Sequence, residues 1–584
     1  MKVKIQQGKL EKFNCDLLVV KWVQGQKMDE STGAVDRVLR GMLAKMMKEQ
    51  GFKGKEGETM VFPTMGKIAA KKIMVLGLGE QKNVNVDCAR RAAARIVKEA
   101  RRQRAKKVAT VLIGTGSAGI DPVRSRARAK GTSPFGTAGA ATSNGIDPFT
   151  AAKAMTEGAM LGGYTYNKYK SEEAQQDAVF PSEFVIVTSG VHESATLHNP
   201  PSSSLSLRAE GQPPLTLREG ETLKLREAER GIKEGELYAR ATIFARELVN
   251  EPASNMTPKH LADVAREIAN PSPSPSPTRG EGVIELKILN RAQCEKIGMG
   301  AYLGVAKGSE HEPYFLHLVW RPNVGNPKSE TCLPTGRIRN PKLKKIAIVG
   351  KGITFDSGGM SLKPAQYMET MKCDMAGCAA MLGVFSVIAR LKPNLEVHGI
   401  SAVCENMPSG RAMKPGDIVR TVSGKTIEVL NTDAEGRLTL ADAFGYVNKF
   451  VKPDAMVDLA TLTGACVVAL GEEVTGYMGN DRALLESVKK AADGAGERVW
   501  ELPLVEEYRD QIKSHIADYS NITPGRYAGA ITAGLFLEAF VGKTPWVHMD
   551  IAGPAFAEKE VIPYMPKGAT GFGVRTMLEL LNGM

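Results

Sequence analysis

The period of the apolar positions changes along this chain, and the changes lay out its elements. Leu17 to Val23, Lys72 to Leu78 and Val108 to Ile113 are short apolar runs that read as strands. Asp36 to Gln50 and Val86 to Arg104 repeat apolar residues every three to four positions and read as helices. Strands alternating with helices predict a small N-terminal α/β sandwich. Glu221 to Val249 reads as one long helix, expected to lead into a second domain, and the loop Asn250 to Pro258 ends in a helix start. Further on, Lys344 to Gly350 is a buried strand with a basic lead-in, and Met375 to Leu391 a buried helix of small apolar residues. Thr426 to Leu430 reads as a strand and Leu438 to Val447 as a helix.

Four stretches carry no such period: Gly119 to Gly145, Val191 to Arg218, Pro271 to Gly282 and Asn323 to Pro341. Each is rich in Ser, Pro, Gly or Arg, which predicts loop inserts without catalytic roles. Gly119-Ile120-Asp121-Pro122 recurs as Gly145-Ile146-Asp147-Pro148, the duplication that an in-frame insertion leaves. Such inserts cost little stability, because closure entropy grows slowly with loop length.

The segment between the Thr426 strand and the Leu438 helix holds the densest chemistry. Asn431-Thr432-Asp433-Ala434-Glu435-Gly436-Arg437-Leu438 spaces two carboxylates and a guanidinium two residues apart. At a strand's period of two they would point the same way. Carboxylates aimed at one spot repel unless a cation lies between them. Upstream, the Lys344 strand empties into a glycine-crowded stretch that presents Lys351, Asp356, Lys363 and Asp374. These residues are expected on loops beyond strand ends, where open α/β sheets place their sites. A plain ion-pair network and a metal site both fit that pattern.

Val349-Gly350-Lys351-Gly352-Ile353-Thr354-Phe355-Asp356-Ser357-Gly358-Gly359 and the Asn431 octapeptide resemble the two signatures of the leucine (cytosol) aminopeptidases. The resemblance runs from about Leu248 to the C-terminus. It includes Ala460-Thr461-Leu462-Thr463-Gly464-Ala465 and His548-Met549-Asp550-Ile551-Ala552-Gly553. It implies an α/β protein of two domains. Residues 1–220 would form the small sandwich and 221–249 the linking helix. Residues 250–584 would form a catalytic domain with a mixed central sheet flanked by helices.

The resemblance further implies that Lys351, Asp356, Asp374 and Glu435 bind one metal, and Asp356, Asp433 and Glu435 another. The two ions would be divalent, manganese or zinc. Lys363 would polarise the scissile carbonyl, and Arg437 would hold a bicarbonate acting as general base. A metal-bridging hydroxide would attack the peptide bond, and a free α-amine on the substrate would fill the remaining metal position. Met371, Thr461, Leu462 and Ala465 would wall the pocket for the first side chain, with leucine and other apolar residues preferred. The family's members are homo-hexamers, which is the assembly expected here.

Other motifs fail their context tests. None of the eight histidines lies in an H-E-x-x-H, and there is no G-x-S-x-G. A G-x-G-x-x-G at Gly114, Gly116 and Gly119 opens a polar tract instead of a helix. The eight cysteines form no C-x-x-C, which disfavours a zinc ribbon or a disulfide framework. The N-terminus lacks an apolar targeting core, no apolar run approaches the length of a bilayer span, and a cytoplasmic location is expected.

The net charge of +13 raises a DNA-binding alternative. Arg90, Arg91, Arg95, Lys98, Arg101, Arg102, Arg104, Lys106 and Lys107 crowd one helix, although no recognition-helix or stacking-aromatic pattern accompanies them. A two-metal hydrolase of another ester or amide class is the second alternative. A catalytically silent scaffold is disfavoured by the intact Lys363 and Arg437.

Overall fold

The computed structural model describes residues 1–115, 145–176, 180–188, 219–270, 282–322, 343–525 and 527–584. Nearly all of the four aperiodic stretches lies outside these residues. The chain divides into two compact units, Met1–Glu236 and Leu237–Met584, and the division falls inside one long helix.

The first unit runs β1 (Lys2–Gln7), β2 (Leu17–Gln24), α1 (Glu30–Val38), α2 (Met42–Glu49), β3 (Thr59–Pro63) and β4 (Lys72–Glu80). It continues with α3 (Val86–Arg102), β5 (Lys107–Val111), α4 (Pro148–Gly162), α5 (Glu172–Gln176), β6 (Glu183–Thr188) and the first half of α6 (Glu219–Asn250). Its six-stranded sheet has the order β1-β6-β5-β2-β4-β3, parallel except for β3. Alternate residues of β2 feed opposite faces: Leu17 and Val19 join the core under α3 and α4, and Leu18 and Val20 the core under α1 and α2.

One expectation needs correction in this unit. The helix expected over Asp36 to Gln50 is broken, because Arg40 and Gly41 take left-handed backbone conformations (φ 57° and 77°) between α1 and α2. Part of the positive charge of the basic helix α3 is paired, with acids on the helix and with acids elsewhere in the unit. Arg90 is 1 % exposed and donates to Glu157 at 2.8 Å, Arg91 pairs with Glu56 and Asp87, and Arg95 lies 3.4 Å from Glu56. Arg102 pairs with Glu99, and Arg101 stacks on Phe180.

The second unit adds the rest of α6, then α7 (Pro258–Ala269), β7 (Val283–Leu289), α8 (Arg291–Ile297), α9 (Gly300–Ala306), β8 (Tyr314–Arg321), β9 (Lys345–Gly350) and β10 (Gly352–Asp356). There follow α10 (Ala365–Met368), a 3-10 turn (Met371–Met375), α11 (Ala376–Leu391), β11 (Glu396–Asn406), β12 (Asp417–Arg420), β13 (Thr426–Val429), α12 (Gly436–Tyr446), β14 (Ala455–Ala460) and α13 (Gly464–Leu470). The unit closes with β15 (Thr475–Gly479), α14 (Arg482–Ala495), β16 (Val499–Glu501), β17 (Tyr519–Ser520), α15 (Gly529–Val541), β18 (Trp546–Asp550) and α16 (Val574–Gly583), besides two short bridging strands.

Its nine-stranded sheet is mixed. β18, β14, β9 and β11 run parallel at the centre, while β8, β7 and β15 pair antiparallel outside them. One face carries Ile346, Ile348, Val457, Leu459 and Val547 into a core with α11 and α16. The other carries Ala347, Val349, Met456 and Trp546 into a core with α9, α12 and α15. The protein is therefore a two-domain α/β chain.

Gly352 to Asp356, expected as loop, forms β10 and pairs parallel with β11, with Gly352 beside Val403 and Ile353 beside Cys404. The β-branched and aromatic Ile353-Thr354-Phe355 outweighs the glycines around it. A further correction concerns apolar length. Ala365–Leu391 reaches the length and hydropathy of a bilayer span, but 78 % of the apolar window is buried inside the fold.

Candidate metal centre

Because β9, β11, β14 and β18 are parallel, their C-terminal ends reach one edge of the sheet, and the candidate residues gather there. Lys351 follows β9 directly, and its backbone is tied on both sides, N–H to Leu459 O at 3.0 Å and C=O to Cys378 N–H at 2.8 Å. Asp356 ends β10. Asp374 sits on the 3-10 turn before α11, and Glu435 immediately precedes α12. Between Asp356 and Lys363 the chain turns at Gly358 (φ +85°), whose N–H donates to Asp356 Oδ1 at 2.9 Å.

Asp433, Glu435 and Arg437 converge by a different route from the strand period expected of them. Residues 432–433 form a turn, closed by Asn431 Oδ1 accepting from Asp433 N–H at 2.8 Å, and Arg437 lies in the first turn of α12. Thr432 fastens this turn to the Gly358 loop, donating to Gly358 O at 2.7 Å and accepting from Ser361 N–H at 2.8 Å.

The side chains form a buried, alternating array of charge. Lys351 Nζ lies 2.7 Å from both Asp374 Oδ1 and Glu435 Oε1 and 2.8 Å from Thr461 O. Lys363 Nζ lies 2.8 Å from Asp356 Oδ2 and 2.5 Å from Asp433 Oδ1. Asp356, Asp374 and Glu435 each offer an oxygen within 4.8 Å of the others. Four carboxylates against two ammonium groups leave an excess of buried negative charge.

The acid strengths show where that excess falls. Burial and the Glu435 carboxylate push Asp356 up to about 7. Burial raises Asp374 well above the carboxylate range and outweighs Lys351. Burial also raises Asp433 against the pull of Lys363. Glu435 goes the other way: burial opposes its charge, but Lys351 and Lys363 prevail and lower it. Burial likewise opposes the charge on both lysines, and the surrounding carboxylates overcome it and raise them.

Two buried oxygens, Asp374 Oδ2 and Glu435 Oε2, have no hydrogen-bond partner among the described residues. An unsatisfied buried carboxylate oxygen is costly, and a divalent cation removes that cost. The donor set fits such ions: hard oxygens in excess, plus a lysine able to ligate once it loses a proton.

The remaining candidates line the same edge. Thr461 donates to Asp374 Oδ1 at 2.6 Å, so it supports the acid as well as facing the site. Leu462 and Met371 are half-buried and pack against different cores, Met371 on the α11 side and Leu462 on the α12 side. Ala465 is half-buried near the start of α13. Arg437 donates through Nη1 to Asn521 O at 2.8 Å, while its buried Nε has no hydrogen-bond partner among the described residues. Burial brings its pKa down to about 10 despite Glu435 and Asp550.

Three residues that motif reading passes over support this array. Asn406, at the end of β11, donates to Asp356 Oδ1 at 2.8 Å and to Thr432 O at 3.0 Å. Asp550, at the end of β18, accepts from Thr463 Oγ1 at 2.7 Å and from Leu462 N–H at 3.1 Å. Asn521 is fully buried against the octapeptide. Asp550 lies in a segment already singled out by resemblance, but nothing near Asn406 or Asn521 in sequence marks them.

The chain is similar to known proteins over its whole length. The catalytic domain of the cytosol aminopeptidase family matches residues 243–578, and that family's N-terminal domain matches residues 19–130. A probable cytosol aminopeptidase of Alkaliphilus oremlandii is 40 % identical over 585 aligned positions, covering 100 % of both chains. One of Aquifex aeolicus is 40 % identical over 534, covering 91 % of this chain and 88 % of its own. Among solved structures, a mutant of tomato leucine aminopeptidase superposes with a TM-score of 0.74 at 31 % identity, covering 100 % of this chain and 97 % of its own. The bottromycin maturation enzyme BotP in complex with Mn gives 0.72 at 28 %, covering 97 % and 99 %.

Proposed function

The chain belongs to the cytosol aminopeptidase family and is a metal-dependent aminopeptidase, and from that premise we propose how its residues divide the work. Lys351, Asp356, Asp374, Asp433 and Glu435 hold two divalent ions, manganese or zinc. The observation that carries this reading is the buried Asp356–Asp374–Glu435 cluster with unpartnered oxygens on Asp374 and Glu435. When bound, such ions would supply Lewis acidity, lowering the pKa of water towards neutrality and offering a position for the substrate's free α-amine.

The protein's own groups do the rest. Lys351 has to give up its proton to ligate, and the arriving positive charge favours that loss. Lys363 Nζ, between Asp356 and Asp433 and 14 % exposed, is placed to donate to the carbonyl oxygen as it gains negative charge. Arg437 has Nη1 occupied by Asn521 O, which leaves the Nε edge for an anion. Bicarbonate there would carry the proton between water and the leaving amine. Met371, Thr461, Leu462 and Ala465 wall an apolar pocket, so leucine and similar first residues are preferred.

A homo-hexameric assembly and a cytoplasmic location belong to the same proposal. The location agrees with the seven described cysteines, all unpaired and buried. DNA binding through α3 is not part of it, since Arg90, Arg91, Arg95 and Arg102 are already paired with acids.

Hydrolysis of leucine p-nitroanilide and its N-acetyl analogue by manganese-loaded protein tests the reading. Turnover of the free amine alone is expected. Equal turnover of both would place the protein among hydrolases that ignore the α-amine.

A further inference from the structure

We infer that Asn521 is a positioning residue, coupling the turn that carries Asp433 and Glu435 to the guanidinium of Arg437. Asn521 directly follows β17, which pairs parallel with β13, and its own N–H donates to Glu428 O at 3.0 Å. Its side chain is fully buried and bonds in both senses. Oδ1 accepts from Leu430 N–H at 2.8 Å and Asn431 N–H at 3.3 Å. Nδ2 donates to Asn431 O at 2.6 Å and Ala434 O at 3.4 Å. Its main-chain carbonyl then accepts from Arg437 Nη1 at 2.8 Å.

One residue thus grips the octapeptide at both ends. Only a primary amide of this length presents donors and acceptors together here. An aspartate lacks the donors, and an aliphatic isostere would leave buried backbone groups unsatisfied.

The grip has a chemical consequence. The bond from Asn521 O fixes the rotation of the Arg437 guanidinium, and the amide bonds fix the turn that delivers Glu435. Moving Asn521 shifts the arginine and the carboxylates relative to each other, and such misplacement is felt in turnover more than in substrate binding. The inference rests on the proposed anion-holding role of Arg437.

The experiment is a double-mutant cycle in the full-length, manganese-loaded enzyme, using leucine p-nitroanilide. Asn521→Ala is expected to lower kcat about tenfold or more with KM changed less than about threefold. Combined with Arg437→Ala, it is expected to cost less than the product of the two single losses, because part of its effect passes through the arginine. Asn521→Asp keeps the acceptor and loses both donors. It is expected to show the same split, and it stands in if the alanine variant does not fold. Asn448→Ala removes a similar pair of amide bonds, to Phe540 O and Val541 O, away from the site, and is expected to keep kcat.

Multiplicative losses in the double variant, or wild-type kcat in soluble Asn521→Asp, would overturn the inference. A fully active Arg437→Ala enzyme would overturn the anion-holding role, and the inference with it. The Arg437 single variant therefore tells the two failures apart.

Discussion

Replacing Gly436 by alanine separates the geometry of the metal centre from the stability of the fold. Gly436 is the first residue of α12 and is buried against Lys351. A Cβ there would lie 2.5 Å from Lys351 Cε, 2.7 Å from Nζ and 2.9 Å from Cδ. Non-bonded carbons rest at about 3.5–4.0 Å, so the tip of Lys351 would have to retreat by about 1 Å. Its surroundings resist that movement: Nζ is held at 2.7 Å by Asp374 and Glu435 and at 2.8 Å by Thr461 O.

Helix propensity pulls the other way, because alanine is better than glycine by up to about 1 kcal/mol within a helix. The net effect on stability is therefore expected to be small. A ligand misplaced by about 1 Å is expected to cost on the order of 100-fold in kcat/KM, or about 2.7 kcal/mol of barrier. The assay is leucine anilide hydrolysis at saturating manganese, with bound metal and Tm measured on the same samples. Full activity with full metal content would refute the placement of Lys351, as would a loss wholly explained by unfolding.

Other outcomes follow from the same geometry. Asn406→Ala removes the bonds to Asp356 and Thr432 and is expected to weaken metal retention about 10- to 100-fold while sparing kcat at saturating metal; unchanged retention would count against it. His317, bonded to Tyr446 Oη and to His398 Nδ1, is held at about 3 by burial and by His398, so it stays neutral in the fold. The unfolded chain takes up that proton near pH 6.5, so the stability it contributes is present above about 6.5 and is lost as pH falls towards 3. The stability gap between wild type and His317→Gln in urea should then narrow from pH 7 to pH 5, and a constant gap would contradict this sign. Deleting residues 119–144 is expected to leave peptidase activity within about twofold, since Thr115 and Gly145 already pair across that stretch; a large loss would give the insert a role.

What the sequence made legible was local. The Asn431 octapeptide and the Lys351–Gly359 run carry their chemistry within a few residues, and the alternation of β2 and the small apolar face of α11 announce the sheet and its helix. The geometry of Asp433, Glu435 and Arg437 was less so. Their spacing suggested a strand, whereas a turn and a helix start bring them together. β10 hid behind its glycines, and the break at Arg40 hid within a continuous apolar repeat.

Least legible were effects that depend on register. Asn406 reaches Asp356 fifty positions earlier because β10 and β11 are parallel neighbours. Asn521 reaches Asn431 because β17 pairs with β13. Part of the charge of α3 is paired with Glu56 and Glu157, which lie far from it in sequence. The pattern on the helix alone suggested a free basic face.

The central claim is that the buried carboxylates, Glu435 among them, hold the metals that catalysis needs. The most direct test compares bound manganese and leucine anilide hydrolysis in wild type and Glu435→Gln after chelation and reconstitution. The account predicts two ions per chain and full recovery of activity in wild type, against incomplete metal binding and loss of activity in the variant. Equal rates in the two proteins would contradict it.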